Sequence, residues 1–377
     1  MRKLLLLTLS IFIVACTSNS KNASEEASEK AKKSIEYASG FTIEDRSGYQ
    51  VLTITNPWPG AETQFRYALV SDSADFDIDE QFDAIVKVPV SNLVVTSTTH
   101  IPSLDMLGVS NSVSGFPNLD YISSEVMRKR VAQGLVTELG KNESINTEVL
   151  IELAPDAVIT FAVEGSNKTV KTIQKTGIPV LYNADWTETH PLGKAEWIKF
   201  FGALFQKNEE ADSIFRTIEK NYQNAKKLAA TAPQRPTVLS GAMYKDVWYL
   251  PQGDSWAAQF IDDANANYLW AGTKGTGSLS LNLESVLEKG KTADFWIAPG
   301  QFESLRQLQE AHPVYGQFNA FQEQNVYNYT FRKGPTGGVI YYELAPNRPD
   351  LVMKDLIAIF HPQLLPSHDL YFFSILK

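Results

Sequence analysis

The sequence predicts an α/β protein of two Rossmann-like lobes with mainly parallel sheets, linked by a single long α-helix and preceded by an N-terminal β-hairpin extension. Three observations lead there. A helix-to-strand unit occurs twice, as INTEVLIELAPDAVITF from Ile145 to Phe161 and as LNLESVLEKGKTADFWIA from Leu281 to Ala298. Between the copies, a stretch from Gly193 to about Ala230 lacks proline and carries its apolar residues mostly at helical intervals. On both sides of that stretch, short apolar runs alternate with amphipathic segments, which is the order of βαβ units.

A chain of 377 residues is long enough for two domains that each bury a core, and 44% hydrophobic with 20% charged residues reads as globular. The formal net charge of -9 comes without a basic cluster, which argues against nucleic acid as a partner, since neutralising phosphate needs grouped Lys and Arg. MRK followed by the apolar run Leu4 to Val14 has the form of an export signal over 1–15. That run is shorter than the ~20 apolar residues of a membrane span. IVAC, Ile13 to Cys16, resembles a bacterial lipobox, which makes Cys16 the lipidated first residue of the mature chain; a plain signal peptide beside an incidental thiol is the alternative. Cys16 is the only cysteine, so no disulfide forms within one chain. Residues 16–39 contain TSNSKNASEEASEKAKK, with no large apolar residue, and read as a solvated tether.

The first lobe is expected over 40–190. Gln50 to Thr55 and Phe65 to Val70 alternate apolar and polar residues around NPWPG and read as a hairpin. Strands follow at Ile85 to Val90 and Leu93 to Thr96. VVTS then leads into the helix-like IPSLDMLGV, Glu148 to Leu153 leads into AVITF, and Lys168 to Lys175 leads into IPVLY. Over 191–231 the apolar stripe Trp197, Phe200, Phe201, Leu204, Phe205, Ile214, Phe215, Ile218, Tyr222 and Leu228 predicts one linking helix. At 1.5 Å per residue, the roughly 38 residues from Gly193 to about Ala230 would run about 57 Å as one helix; the alternative is two helices broken near Gly202 or Lys207-Asn208. APQRP, Ala232 to Pro236, ends it. The second lobe, 232–377, offers TVLSG, VWYL, ADFWIA and NVYNY as strands, with helices at Ser255 to Asp263, Leu283 to Glu288 and Pro349 to Phe360.

VVTSTTHIPSLDMLG, NTEVLIELAPDAVI, GKAEWIKFFGALF and DLIAIFHPQLLP together resemble the periplasmic substrate-binding proteins of ABC importers, in the class that serves iron-siderophores, haem and cobalamin. The second segment matches the family's N-x-E…L-x-P-D-x-V-I. The likeness runs from about Leu93 to the end and leaves the hairpin region unexplained. It implies a monomeric, lipid-anchored protein of the cell envelope that faces the periplasm. Such a protein hands a metal-chelate small molecule to a two-fold symmetric permease driven by a separate ATPase. It also implies that one glutamate on each lobe meets arginines of the permease, and Glu148 and Glu284 stand at the matching positions of the two copies. An acidic residue near a helix N-terminus also has a purely local role in favouring that helix.

Ligands of open parallel sheets bind beyond the carboxyl ends of the strands. That rule points to Thr98, Thr99 and His100 after VVTS, to Phe161 and Glu164 after AVIT, and to Asp185 and Trp186 after VLY. In the second lobe it points to Met243, Tyr244, Trp248, Trp256, Trp270, Gln301, Phe331 and Arg332, with Tyr341 and Tyr342 closing one side. Aromatic faces suit a large planar or chelated ligand, and Arg332 would neutralise an anionic one. Trp residues also serve as core in such folds, and His100 reads either as a metal ligand or as a hydrogen-bonding residue. No resident cofactor or protein-bound metal is expected. A zinc or manganese cage, the rival reading, wants several converging His, Asp or Glu. Of the five His, His190 precedes the linking segment beside Pro191, and His312, His361 and His368 sit late, around prolines. An enzyme is not expected: there is no G-x-S-x-G elbow, EKGKT lacks the upstream glycine of a phosphate loop, and GTKGTG has the wrong spacing for a dinucleotide fingerprint.

Overall fold

The computed structural model describes residues 35–71, 80–165 and 168–377. The signal segment, Cys16 and most of the tether lie outside the described residues. The expected hairpin is present and belongs to a larger sheet, in which Phe41–Arg46, Tyr49–Ile54 and Phe65–Ser71 form an antiparallel meander and Ala84–Val88 adds in parallel. Its inner face, with Leu52, Ile54, Tyr67, Leu69 and Val86, is buried. This sheet covers the edge of the first lobe's sheet, where the Tyr182 N–H donates to the Tyr67 hydroxyl at 3.1 Å and the Phe65 and Tyr182 rings lie 4.6 Å apart. Covering an edge strand in this way hides backbone groups that would otherwise invite pairing with another chain.

The first lobe's sheet is parallel throughout, in the order Val180–Tyr182, Ala157–Thr160, Leu93–Val95, Val113–Phe116, Thr137–Glu138. Strand order therefore reverses direction beside Leu93–Val95. In the second lobe the order is Asn267–Tyr268, Thr237–Ser240, Phe295–Ile297, Val326–Asn328, then Ser374–Ile375, of which only the last runs antiparallel. Here the switch lies between Thr237–Ser240 and Phe295–Ile297. A further three-stranded ribbon, Ala242–Tyr244, Val247–Pro251 and Ser278–Leu281, rises from this lobe.

The repeated motif is a repeated structure. Asn146 caps the helix Thr147–Leu153 by accepting the Val149 N–H at 3.2 Å, and Asn282 caps Leu283–Gly290 by accepting the Ser285 N–H at 2.8 Å. Each helix then feeds a strand whose leading Asp holds the start of the neighbouring strand. Asp156 accepts the backbone N–H groups of Ser91 and Asn92 at 2.7 and 2.9 Å, and Asp294 accepts that of Thr237 at 2.7 Å.

The linking segment departs from the expected single helix. It comprises three helices, Pro191–Glu196, Ile198–Leu204 and Asn208–Ala229. The sharper break follows Leu204: Gln206 adopts φ 53°, and the Lys207 N–H turns back to the Gly202 carbonyl at 2.8 Å. Closing this turn presses the third helix onto the second, where a Cβ on Gly202 would stand 2.6 Å from that of Ala211. Asn208–Ala229 packs along Pro349–Phe360 of the second lobe and against Ile198–Leu204, and its Phe215, Ile218 and Tyr222 are buried.

Two buried carboxylates on and before these helices seize the incoming chain. Glu196 accepts the N–H groups of Glu36, Tyr37 and Ala38 at 2.7–3.0 Å. Glu188 accepts those of Ser39 and Gly40, and the Trp197 indole N–H at 3.1 Å. Residues 36–39, which composition places at the end of the tether, are thus bound through their backbones, as is Gly40.

Candidate functional site

Beyond the carboxyl ends of the second lobe's strands, at its switch point, lies a hollow of about 680 Å³. Its floor is Ser240-Gly241 and Ala298; its walls come from the ribbon (Met243, Tyr244, Tyr249), the start of the helix Trp256–Asp263, Phe302, and the pair Tyr329 and Tyr342. Gly241 is required at the floor: it has φ 78°, and a Cβ there would meet the Tyr249 carbonyl oxygen at 1.9 Å. Two buried tryptophans hold this floor from below. The Trp248 indole N–H donates to Ser240 O at 3.0 Å, the Trp296 N–H to Gly241 O at 2.7 Å, and the rings stack 5.5 Å apart. At one wall Tyr329 stacks on Tyr341 with centroids 4.0 Å apart, and Tyr342 meets Tyr329 edge-on.

A second hollow, of about 330 Å³, lies at the ends of the first lobe's strands and is lined by Asn142, Glu143, Thr160, Phe161, Glu164 and Lys168 among others. The lobes meet between these regions. Lys194, buried on the first linking helix, donates to the carbonyls of Asp185 and Trp186 at 2.9 and 3.1 Å and lies 5.1 Å from the Trp256 ring centroid. Burial pulls its pKa down to about 8, against the opposing pull of Asp185 and Glu188. Farther along, residues 334–347 of the second lobe lie on the first. Thr336 donates to Asp120 O at 2.6 Å, Asn347 donates to Thr99 O at 2.8 Å and accepts from Ser103, and the Glu343 carboxylate accepts the Ser123 N–H at 2.7 Å. Burial, with Asp105 nearby, pushes the Glu343 pKa up to about 7.

Of the expected ligand residues, Met243, Tyr244, Trp256, Tyr342 and Gln301 line the larger hollow, and Phe161 and Glu164 line the smaller. Trp186 is exposed beside the lobe junction, and Thr98 and Thr99 are half-buried at the end of Leu93–Val95. Four expectations are corrected. Trp248 is 0% exposed and supports the floor from inside the core instead of facing a ligand. Trp270 is buried against Gly290 with Lys289 over its ring. His100 is 0% exposed against Phe201, and burial lowers its pKa to about 4, so it faces the interior as a neutral ring. Arg332 turns to the C-terminal segment, with its guanidinium 5.1 Å from the Tyr371 ring centroid and a bond to Leu370 O at 3.3 Å. Sequence reasoning missed Tyr249, Phe302 and Tyr329, which line the hollow, and Lys194; only the ribbon's alternation, with Tyr249 one residue out of phase with Trp248, could have found any of them. Glu148 and Glu284 are exposed at equivalent positions, two residues after their capping asparagines. Among the described residues no group of three or more His, Cys, Asp or Glu is placed to hold a metal ion, and no helix is long and apolar enough to cross a membrane.

Two parallel-sheet lobes, each with a hollow at the carboxyl ends of its strands and joined by linking helices, define a bilobal solute-binding protein. The chain belongs to the periplasmic binding protein family, whose sequence profile matches residues 93–332. It is similar to an uncharacterized lipoprotein of Methanocaldococcus jannaschii, at 24% identity over 94% of this chain and 89% of that one. Among solved structures it resembles a possible iron-binding (periplasmic solute-binding) protein from Staphylococcus epidermidis, at 16% identity and TM-score 0.56 over 72% of this chain and 99% of that one. A periplasmic heme binding protein from Pseudomonas aeruginosa matches at 15% identity and TM-score 0.56, covering 76% and 98%. These likenesses extend the shared fold across both lobes.

Proposed function

We propose that this protein is the lipid-anchored substrate-binding component of an ABC importer, held in the envelope through Cys16. It takes a metal chelate of the siderophore type into the cleft and delivers it to the permease. The observation that supports this most is the hollow of about 680 Å³ at the switch point, walled by Tyr244, Tyr249, Trp256, Phe302, Tyr329 and Tyr342. Rigid ring faces recognise a bulky chelate with little loss of side-chain entropy. Permease docking is assigned to Glu148 and Glu284, whose matching helix-start geometry would present one carboxylate per lobe to a two-fold partner.

The test is intrinsic tryptophan fluorescence of the chain beginning after Cys16, titrated with ferric siderophores, haem, cobalamin, zinc and manganese. Saturable quenching by a ferric siderophore at submicromolar concentration supports the reading. Saturation by haem or cobalamin alone reassigns the cargo within the same fold, and response to bare zinc or manganese alone overturns the chelate assignment.

A further inference from the structure

The larger hollow has no ionisable acid or base of ordinary physiological charge on its walls. Its described lining is aromatic, aliphatic, hydroxyl, amide and glycine, with no Asp, Glu, Lys, Arg or His. Of the cations near it in sequence, Lys245 stands at the rim, 5.5 Å from the centroid of the Tyr244 ring, without itself lining the hollow, while Lys274 reaches Asp254 at 3.5 Å, Lys333 reaches Glu303 at 2.5 Å, and Arg332 lies against Tyr371. The described lining of the smaller hollow carries two acids, Glu143 and Glu164, and one cation, Lys168. Lys194 does adjoin Trp256, but its ammonium is spent on two carbonyl oxygens and lies among Asp185 and Glu188.

We infer that the cleft sorts its cargo by charge, admitting chelates of net positive or zero charge and rejecting anionic ones. This rests on the chelate-binding function proposed above and specifies the chemical class of that ligand. An anion moved from water into this hollow would lose its hydration with no guanidinium or ammonium to replace it. Its approach would also be opposed by the field of a chain whose formal net charge is -9. A cationic chelate meets ring faces, whose negative quadrupoles attract positive charge.

The experiment is a charge series on one scaffold. A ferric linear trihydroxamate bearing a free ammonium (net positive), its N-acetyl derivative (neutral) and its N-succinyl derivative (negative) differ at one end only, and a ferric tris-catecholate supplies a strongly negative chelate. Titrated by tryptophan quenching at low salt, the ammonium form should bind at least about tenfold more tightly than the succinyl form, with the acetyl form between and the tris-catecholate weakest. Adding salt should narrow the spread. Gln301→Arg, which places a guanidinium on the wall, should tighten the succinyl form and weaken the ammonium form. Equal affinities across the series, or preference for the anions, overturns charge sorting while leaving chelate binding intact. Failure of every chelate to bind the wild-type protein, with its thermal unfolding still cooperative, overturns the chelate function and the inference with it.

Discussion

Replacing Glu343 by glutamine removes one titrating group from the joint between the lobes and leaves its hydrogen-bond acceptor in place. The wild-type carboxylate is 4% exposed and accepts the Ser123 N–H across that joint. Its pKa moves from 4.5 in an unperturbed glutamate to about 7 in the fold, chiefly through burial. Between those two values the folded chain keeps a proton that the unfolded chain has released. Stability contributed by Glu343 therefore falls as pH rises from 4.5, and the fall is complete above about pH 7. At about 1.36 kcal/mol per unit, the difference between 4.5 and about 7 amounts to roughly 3 kcal/mol. Glu343→Gln should match or trail the wild type near pH 4 and gain on it by up to about 3 kcal/mol by pH 8. Urea denaturation of the chain beginning after Cys16, followed by far-UV circular dichroism across that range, measures the gap. Asp105, whose own pKa burial raises, is coupled to Glu343, so the gap reads the change for the pair and not for one carboxyl alone. A gap that stays constant with pH would refute the reasoning, because burial would then impose no net cost on the charged form.

The remaining predictions concern other parts of the molecule. His100, whose pKa burial lowers from 6.5 to about 4, gives stability that is lost as pH falls through that window; His100→Leu should flatten the acid side of a melting-temperature profile between those values. Gly241→Ala should lower stability by about 2 kcal/mol or more, since both its φ and the Tyr249 carbonyl resist a Cβ, and weaken ligand quenching; calorimetry and the titration above check both. Glu148→Ala with Glu284→Ala should abolish uptake in cells and leave chelate affinity unchanged, whereas undiminished uptake would remove the docking role.

Periodicity carried the architecture, because a buried parallel strand and an amphipathic helix each impose a pattern that survives in the sequence. The two Asn-x-Glu…Asp units fold alike, down to the capping asparagines and the strand-pinning Asp156 and Asp294. Side-chain direction was less legible. Trp248 lies within a strand and Trp256 at the start of a helix, and which way each ring turns, one under the floor and the other along the hollow, is set by the packing around it. Arg332 was read as a ligand partner because a cation after a strand invites that reading; the Tyr371 ring that claims it comes from far along the chain. Breaking the linking helix needed no proline, since Gln206 supplies a positive φ and Gly202 the close approach, and an apolar stripe is blind to both. Nothing in the local sequence marks Lys194, Glu188 and Glu196 as buried, because the carbonyl and amide groups that satisfy them are brought to them by the fold.

Those last two carboxylates also decide how the protein carries load. A pull on residue 35 enters through the Glu36–Ala38 backbone, gripped by Glu196, and the Ser39-Gly40 backbone, gripped by Glu188. Glu196 lies on the helix Pro191–Glu196 and Glu188 just before it, so strain arriving from the N-terminal side passes first into the spine shared by both lobes. The same helix carries Lys194, whose ammonium lies 5.1 Å from the centroid of the Trp256 ring on the wall of the larger hollow, so a force entering at residue 35 is felt at that wall through Lys194 and Trp256.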